Sequence, residues 1–159
     1  MRRVDRQVKD PNQLAAFLNS CQVIRIAFKG GDYPYIVPMN FAYNLNEGKL
    51  IFYTHGAKTG KKLAELEACE KVAVELDGNH QLLTGPNRRY PSFAYQSIIG
   101  FGKAELIDDP DEKSHALELI MAHAAPGISY EEFPISVLEK TALLKIELDS
   151  YTMKENKRE

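Results

Sequence analysis

Short apolar runs with the spacing of strands alternate along the chain with short segments that have the spacing of helices. The strand-like runs are Val23 to Phe28, Tyr35 to Tyr43, Lys49 to Thr54, Val72 to Asp77, Phe93 to Ile107 and Ala142 to Leu148. The first three are separated only by short turns, Gly30-Gly31-Asp32 and Asn44 to Gly48. This arrangement predicts an antiparallel meander and argues against the βαβ units of a parallel nucleotide-binding sheet.

Three segments carry the caps and the periodicity of amphipathic helices. Asp10 caps the first, and its apolar face holds Leu14, Phe17, Leu18 and Cys21. A second helix is predicted from about Lys61 to Cys69. Asp109 caps the third, whose apolar face holds Ala116, Leu117, Ile120, Met121 and Ala124. We expect the first helix to lie against the sheet as a plug or lid.

The longest predicted strand has Gly100 and Gly102 near its middle, where missing side chains let a strand coil sharply and close a small barrel. The segment Leu83 to Ser92 contains two prolines and a glycine and predicts a loop. The predicted fold is therefore mainly β, of the α+β type: a six-stranded antiparallel β-barrel with peripheral helices.

Composition indicates one globular domain. The chain has 159 residues, of which 44% are hydrophobic, enough for one core over residues 1–150. The charged segment 151–159 is expected to fray.

Charge and cysteine content exclude several classes of protein. Twenty basic residues are interspersed with 22 acidic ones, so nothing indicates nucleic-acid binding. Cys21 and Cys69 form no pair typical of zinc or of a disulfide framework, which favours a reducing cytoplasm. The charged start of the chain leads into no apolar stretch, so we expect neither secretion nor a membrane anchor.

The sharpest local pattern is Tyr53 to Leu63, where the end of a strand meets the start of a helix. Two glycines free backbone N–H groups there, the helix N-terminus is electropositive, and Lys58, Lys61 and Lys62 add full charge. The segment is either a phosphate site or a solvated basic turn. A P-loop is excluded, because Gly56 and Gly60 are separated by three residues instead of four and Lys62 replaces the hydroxyl residue that binds magnesium.

Two further patterns are open at this level. Pro38 cannot donate to a ladder, so Val37 to Phe41 is either an ordinary edge strand or an irregular strand that offers backbone groups to a planar ring.

His80 and His115 are expected at the surface, and no histidine forms a metal-binding pair, so no metal site is predicted. His55, beside the lysines, is the candidate proton donor or substrate contact.

Taken together, three stretches resemble the FMN-binding split-barrel family related to pyridoxamine 5′-phosphate oxidase, and most closely its nitroimidazole-resistance branch. They are Tyr35 to Phe41, Phe52 to Leu63 and Tyr95 to Ala104. Their order and separation match the family over nearly the whole chain, and the resemblance implies that the predicted barrel is a split β-barrel. One departure is Ala94-Tyr95, where many relatives in this branch have Arg-Tyr.

The resemblance implies an FMN site and a set of residues for it. The cofactor-binding residues are expected to be Val37, Pro38, Met39, Asn40, Tyr53, Thr54, His55, Lys58, Lys61, Lys62, Gln96, Ser97 and Ile98. Val37 to Asn40 would face the isoalloxazine ring, and the three lysines would meet the phosphate. Gln96 to Ile98 would approach from the long strand of either subunit, because relatives are homodimers with FMN at the interface.

The function implied is that of an FMN-dependent oxidoreductase acting on a small organic acceptor such as a nitroaromatic, with His55 as the catalytic candidate. A non-enzymatic flavin-binding protein and a haem-binding split barrel are the alternatives. Oxidation of pyridoxamine phosphate itself is disfavoured, because only Arg88-Arg89 offers charge for a second phosphate.

Overall fold

The structure, a computed structural model, describes residues 3–85, 90–129 and 133–157. Arg88 and Arg89 lie outside these ranges. The strands are β1 (Gln7–Val8), β2 (Ile24–Phe28), β3 (Tyr35–Met39), β4 (Phe41–Asn46), β5 (Lys49–Ala57), β6 (Lys71–Leu83), β7 (Ser92–Leu106) and β8 (Thr141–Asn156). The helices are α1 (Pro11–Ser20), α2 (Lys61–Ala68), α3 (Pro110–Ala124) and α4 (Ile135–Lys140), and a 3-10 turn covers Val4–Arg6.

The described residues thus form eight strands, where six were predicted. The additional β1 is only two residues long and leaves no periodicity in the sequence. The other additional strand arises because the predicted run from Tyr35 to Tyr43 breaks at Asn40 into β3 and β4.

All strands belong to one antiparallel sheet, whose order is β3-β2-β6-β7-β8-β5-β4, with β1 paired to β8. The two antiparallel pairings of the predicted meander are confirmed, since β2 pairs with β3 and β4 with β5. A continuous meander is wrong, because β3 and β4 lie at opposite ends of this order. Met39 and Phe41 are two residues apart, so their Cα atoms are within about 7 Å of each other. The two edges of the sheet therefore meet at Asn40, and the sheet is rolled into a barrel split along that seam, as the fold prediction stated.

The barrel interior is the main hydrophobic core. Its largest fully buried side chains include Phe28, Phe41 and Phe52, and α1 contributes Phe17 and Leu18 to the same cluster. Asp10 caps α1 through a 2.9 Å bond from the Asn12 backbone N–H, as the sequence predicts. The helix therefore plugs the barrel.

A second apolar cluster lies outside the barrel, where α3 and α4 cover β4, β5 and β8. It contains Ala42, Tyr53, Ile107, Ala116, Leu117, Ile120, Leu138 and Leu143. The predicted apolar face of α3 is confirmed at Ala116, Leu117 and Ile120, whereas Met121 is half-buried and Ala124 is exposed.

The long strands bend at glycines, where a side chain would be crowded by its neighbours. The β7–β8 register shifts between Phe101 and Gly102, and a Cβ on Gly102 would clash with the Glu147 carbonyl and lie 2.7 Å from the Leu148 Cα. A second irregularity falls between Gly78 and Gln81, where β6 was predicted to end but continues to Leu83. Both bends help the sheet to curl.

The expected fraying from residue 151 is wrong for residues 151–156. They continue β8 and pair with β7 as far as Tyr95 opposite Asn156. Met153 is buried in the barrel core, and in a strand only alternate positions need to be apolar. No helix within the described ranges is both long and apolar enough to cross a bilayer.

Candidate functional site

The end of β5 and the start of α2 meet beside the seam of the barrel. Along β5, Leu50, Phe52 and Thr54 are buried at alternate positions, and Leu50 and Phe52 belong to the interior core. Thr54 therefore faces the barrel interior, and Gly56 follows on the same face. His55 and Tyr53 face the outside.

Thr54 carries an unpaired polar atom in an apolar setting. The side chain is fully buried, and its Oγ1 has no hydrogen-bond partner within the described residues. An unsatisfied buried hydroxyl costs about 1–3 kcal/mol. This hydroxyl is thus available to a polar group that enters the end of the barrel.

Lys62 reaches back from α2 over Gly56. A Cβ on Gly56 would clash with the Lys62 Nζ and lie 3.6 Å from the Met39 Cε, so the glycine leaves the space that the amine occupies. The Lys62 Nζ is 4.0 Å from the Met39 Sδ. Burial lowers the pKa of Lys62, and no carboxylate in the described part of the chain pairs with it. A half-buried cation without a counter-ion is suited to an anionic ligand.

The other two lysines lie at the same helix start. Gly60 caps α2 with φ 122° and no side-chain hydrogen bond, and the first turn contains no acidic residue. The Lys61 Nζ is 4.7 Å from the centre of the Tyr35 ring on β3, and Lys58 is exposed. Of the two interpretations left open by the sequence, this arrangement favours the anion site, because Lys62 is turned inward rather than into water.

Of the three lysines, Lys62 acts electrostatically on His55. Partial burial is the larger cause that lowers the pKa of its imidazole, and the charge of Lys62 is the second. The imidazole is therefore neutral at pH 7. It projects from the face of β5 opposite to Thr54, whereas the ring of Tyr53, on the same face as His55, is buried under α3 and α4.

The structure places the predicted β3 segment at the edge of the sheet, where Pro38 was expected. Val37 and Met39 face the core, with Met39 beside Lys62, and Pro38 faces outward. The Asn40 side chain donates to the Gln22 carbonyl at 3.0 Å, which fixes the crossing between the two sheet edges.

Gln96, Ser97 and Ile98 lie far from this site in the same chain. On β8, Thr54 is opposite Leu144 and Gln96 is opposite Glu155. Eleven positions correspond to a path of about 36 Å along an extended strand. The Ile98 side chain is fully buried in the core, Gln96 lines a separate cleft, and Ser97 is half-buried on the outer face of β7.

The remaining histidines show no common site. His80 pairs with Asp77 at 3.1 Å and His115 is exposed, so both lie at the surface as predicted. The His123 Nε2 is 2.8 Å from the Cys21 carbonyl, a contact that helix periodicity alone does not reveal. Within the described ranges, no three His, Cys, Asp or Glu side chains form a group that could hold a metal ion.

Sequence reasoning missed the part that Gly56 plays. It was taken only as a source of backbone freedom, whereas its φ is not in the left-handed region and its use is to leave room for the Lys62 amine. The signal that could have shown this is strand parity, since Gly56 is two residues after the inward-facing Thr54.

A family model described as pyridoxamine 5′-phosphate oxidase matches residues 10–155. Comparison with curated protein sequences gave no match.

Among solved structures, a candidate 5-nitroimidazole antibiotic resistance protein from Bacteroides thetaiotaomicron is similar with a TM-score of 0.82 and 25% identity, over 94% of this chain and 86% of that one. An FAD- and haem-binding protein from Mycobacterium smegmatis has a TM-score of 0.80 and 20% identity, over 96% and 74%. A flavocytochrome from Azotobacter vinelandii has a TM-score of 0.79 and 19% identity, over 99% and 72%. The last two likenesses concern the fold.

Proposed function

This chain belongs to the pyridoxamine 5′-phosphate oxidase family, and on that premise we propose that it is an FMN-dependent oxidoreductase whose cofactor phosphate binds at the start of α2. The observation that carries the proposal is the Lys62 amine, which is half-buried, turned over Gly56 and without a carboxylate partner in the described residues. A phosphate dianion supplies the missing counter-charge.

The residues present fit a flavin in three further respects. The unpaired Thr54 Oγ1 offers one hydrogen bond inside the barrel end. The unpaired edge of β3, which contains Val37 to Met39, offers backbone groups for the polar rim of a planar ring. Lys58 and Lys61 add positive charge at the helix start, Asn40 lies between β3 and β4, and Tyr53 lies on β5.

The flavin, when bound, supplies the transfer of electrons from a reduced donor to an acceptor. The protein binds and orients it. We propose a small organic acceptor such as a nitroaromatic, which is supported by the likeness to the candidate resistance protein. His55, neutral at pH 7 and exposed, is the proposed contact for the acceptor.

We further propose a homodimer in which Ser97, on the outer face of β7, approaches the cofactor of the partner together with the backbone of its neighbours Gln96 and Ile98. Support comes from the separation of these residues from Thr54 within one chain, and from the outer face of β7. Phe93, Ile99 and Phe101 on that face are 56%, 45% and 57% exposed. Neighbouring exposed apolar side chains of this size are typical of an interface.

Absorption and thermal unfolding of the purified protein test the proposal. We expect flavin bands, and a higher Tm with FMN than with riboflavin, which lacks the phosphate. A ligand at 100 times its Kd stabilises the folded state by about 2.7 kcal/mol. An unchanged Tm in saturating FMN would overturn the proposal, and a Soret band would favour the haem alternative.

Turnover separates an enzyme from a flavin store. Reduced nicotinamide should be consumed when a nitroimidazole is added to the FMN-loaded protein. Consumption that does not depend on the acceptor would contradict the proposed acceptor class.

A further inference from the structure

A cleft of about 520 Å³ lies between α1 and the far ends of β6, β7 and β8. It is about eleven residues along β8 from the Thr54 level and shares no side chain with the lysine site. Its volume is within the range of small-molecule sites. Ala16 and the edge of the buried Phe17 form an apolar wall on α1, and polar side chains occupy the opposite side.

The polar side is an ordered chain of hydrogen bonds. The Asn79 amide donates to the Gln96 Oε1, and the Gln96 Nε2 donates to the Glu155 Oε1 at 3.2 Å. Gln96 is thus held at both ends of its amide group, which fixes its orientation.

The backbone is shaped to place the first member of this chain. Asn79 has φ 55° and lies in the irregularity between Gly78 and Gln81, where β6 departs from its register with β7. Bulges of this kind re-aim a side chain, and a non-glycine residue at positive φ is a cost that is common at binding sites.

Glu155 supplies the carboxylate among the residues that line the cleft. The Glu155 side chain is 22% exposed, and its second oxygen lies 3.8 Å from the exposed Lys157 amine. The Tyr95 hydroxyl accepts a hydrogen bond from Arg6 at 3.2 Å. A partly buried carboxylate held by an amide favours a donor-rich cation over an anion.

We propose that this cleft binds a small planar cation that carries N–H donors, of the amidinium or protonated nitrogen-heterocycle class. The ring packs against Ala16 and the small part of Phe17 that the cleft reaches, and its N–H groups donate to Glu155. The site does not rest on the proposed flavin function.

Three probes of one shape test the proposal: benzamidine, benzamide and benzoate. Binding is measured through the side-chain amide signals of Asn79 and Gln96 in nitrogen-15 NMR spectra. We expect benzamidine to bind more tightly than benzamide and benzoate not to bind. Equal affinities for the three probes, or no shift of either amide with benzamidine at millimolar concentration, would overturn the assignment.

Two variants and one control variant locate the interaction. Glu155→Gln keeps the shape and should weaken benzamidine about tenfold, the lower end expected for a bond to a charged group. Glu147→Gln, an exposed glutamate on the same strand, is the matched control and should change nothing. Ala16→Leu fills the cleft from α1 and should abolish binding of benzamidine and benzamide alike. Equal effects of Glu155→Gln and Glu147→Gln would contradict the proposal.

Discussion

The Lys62 amine on α2 lies 4.0 Å from the Met39 sulfur on β3, across a gap that exists because Gly56 has no side chain. The helix α2, the edge strand β3 and the penultimate strand β5 thus meet around one cation. Burial lowers the pKa of that cation.

Replacing this cation should affect ligand binding and stability in opposite directions. Lys62→Met removes a charge-assisted contact worth about 1.5–3 kcal/mol, so FMN should bind about ten- to a hundredfold more weakly. Titration of FMN fluorescence measures this. Lys49→Met, at the other end of β5, is the control.

The ligand-free variant should be more stable than the parent at pH 7. The folded pKa of Lys62 is below the ordinary 10.5, so the unfolded chain holds its proton to higher pH and stability rises as the pH approaches 10.5. The advantage of Lys62→Met should therefore shrink with rising pH in urea unfolding. An advantage that is independent of pH would show that charge is not its cause.

Thr54→Val should also change stability and FMN affinity in opposite directions. Valine matches threonine in shape and removes a hydroxyl that lacks a partner, so the ligand-free protein should gain about 1 kcal/mol. FMN affinity should fall about fivefold, the loss of one hydrogen bond of about 1 kcal/mol. Unchanged FMN affinity would mean that Thr54 does not face the cofactor.

Substitutions at Gly56 and Gly102 should differ sharply in their effect on stability. Gly56→Ala displaces the end of a flexible lysine, so the Tm should change little while FMN affinity falls. Gly102→Ala meets the backbone of Glu147 and Leu148 and should cost about 3 kcal/mol or more. Gly31→Ala, with open space around it and no positive φ, is the control for both. Similar unfolding midpoints for all three variants would contradict the packing described at Gly102.

The sequence predicted those parts of the fold that depend on local patterns. Asp10 and Asp109 identified two helix starts correctly, because capping is decided within four residues. The break at Asn40 was missed, since Tyr35 to Tyr43 keeps the composition of one strand and the separation of β3 from β4 depends on the closure of the whole sheet.

The part of the candidate site that is built from residues close in sequence was likewise predictable from local patterns. The residues around the α2 start are close in sequence, and the structure brings Met39, Thr54 and Lys62 to the same end of the barrel. The chain of hydrogen bonds from Asn79 through Gln96 to Glu155 joins three segments that are distant in sequence, and Asn79 lies in a bulge. No spacing pattern in the sequence predicts this chain.

Acid should weaken the protein partly through His55. Its folded pKa is below 6.5, so the unfolded chain takes up the proton first and stability falls as the pH drops through 6.5, until the folded imidazole is protonated too. NMR titration of the His55 ring measures this pKa. Lys62→Met should raise the value toward 6.5 and Lys58→Met should not, and equal shifts would show that Lys62 is not the specific cause.

The proposed dimer can be disrupted on the outer face of β7. Phe101→Lys should convert a dimer into a monomer in light scattering, because a charge replaces an exposed aromatic side chain at the proposed interface. Ile128→Lys, at another exposed apolar position, should leave the dimer intact. A monomeric parent protein would overturn the dimer proposal, and a dimer that survives Phe101→Lys would place the interface elsewhere.

The last strand in the chain, β8, lies in the middle of the sheet, between β7 and β5. Until Thr141–Asn156 has been synthesised, the strands on its two sides cannot be joined, and both groups present open edges. These edges are open to aggregation until β8 is in place. Folding to the closed barrel is expected to be slowed by these long-range pairings.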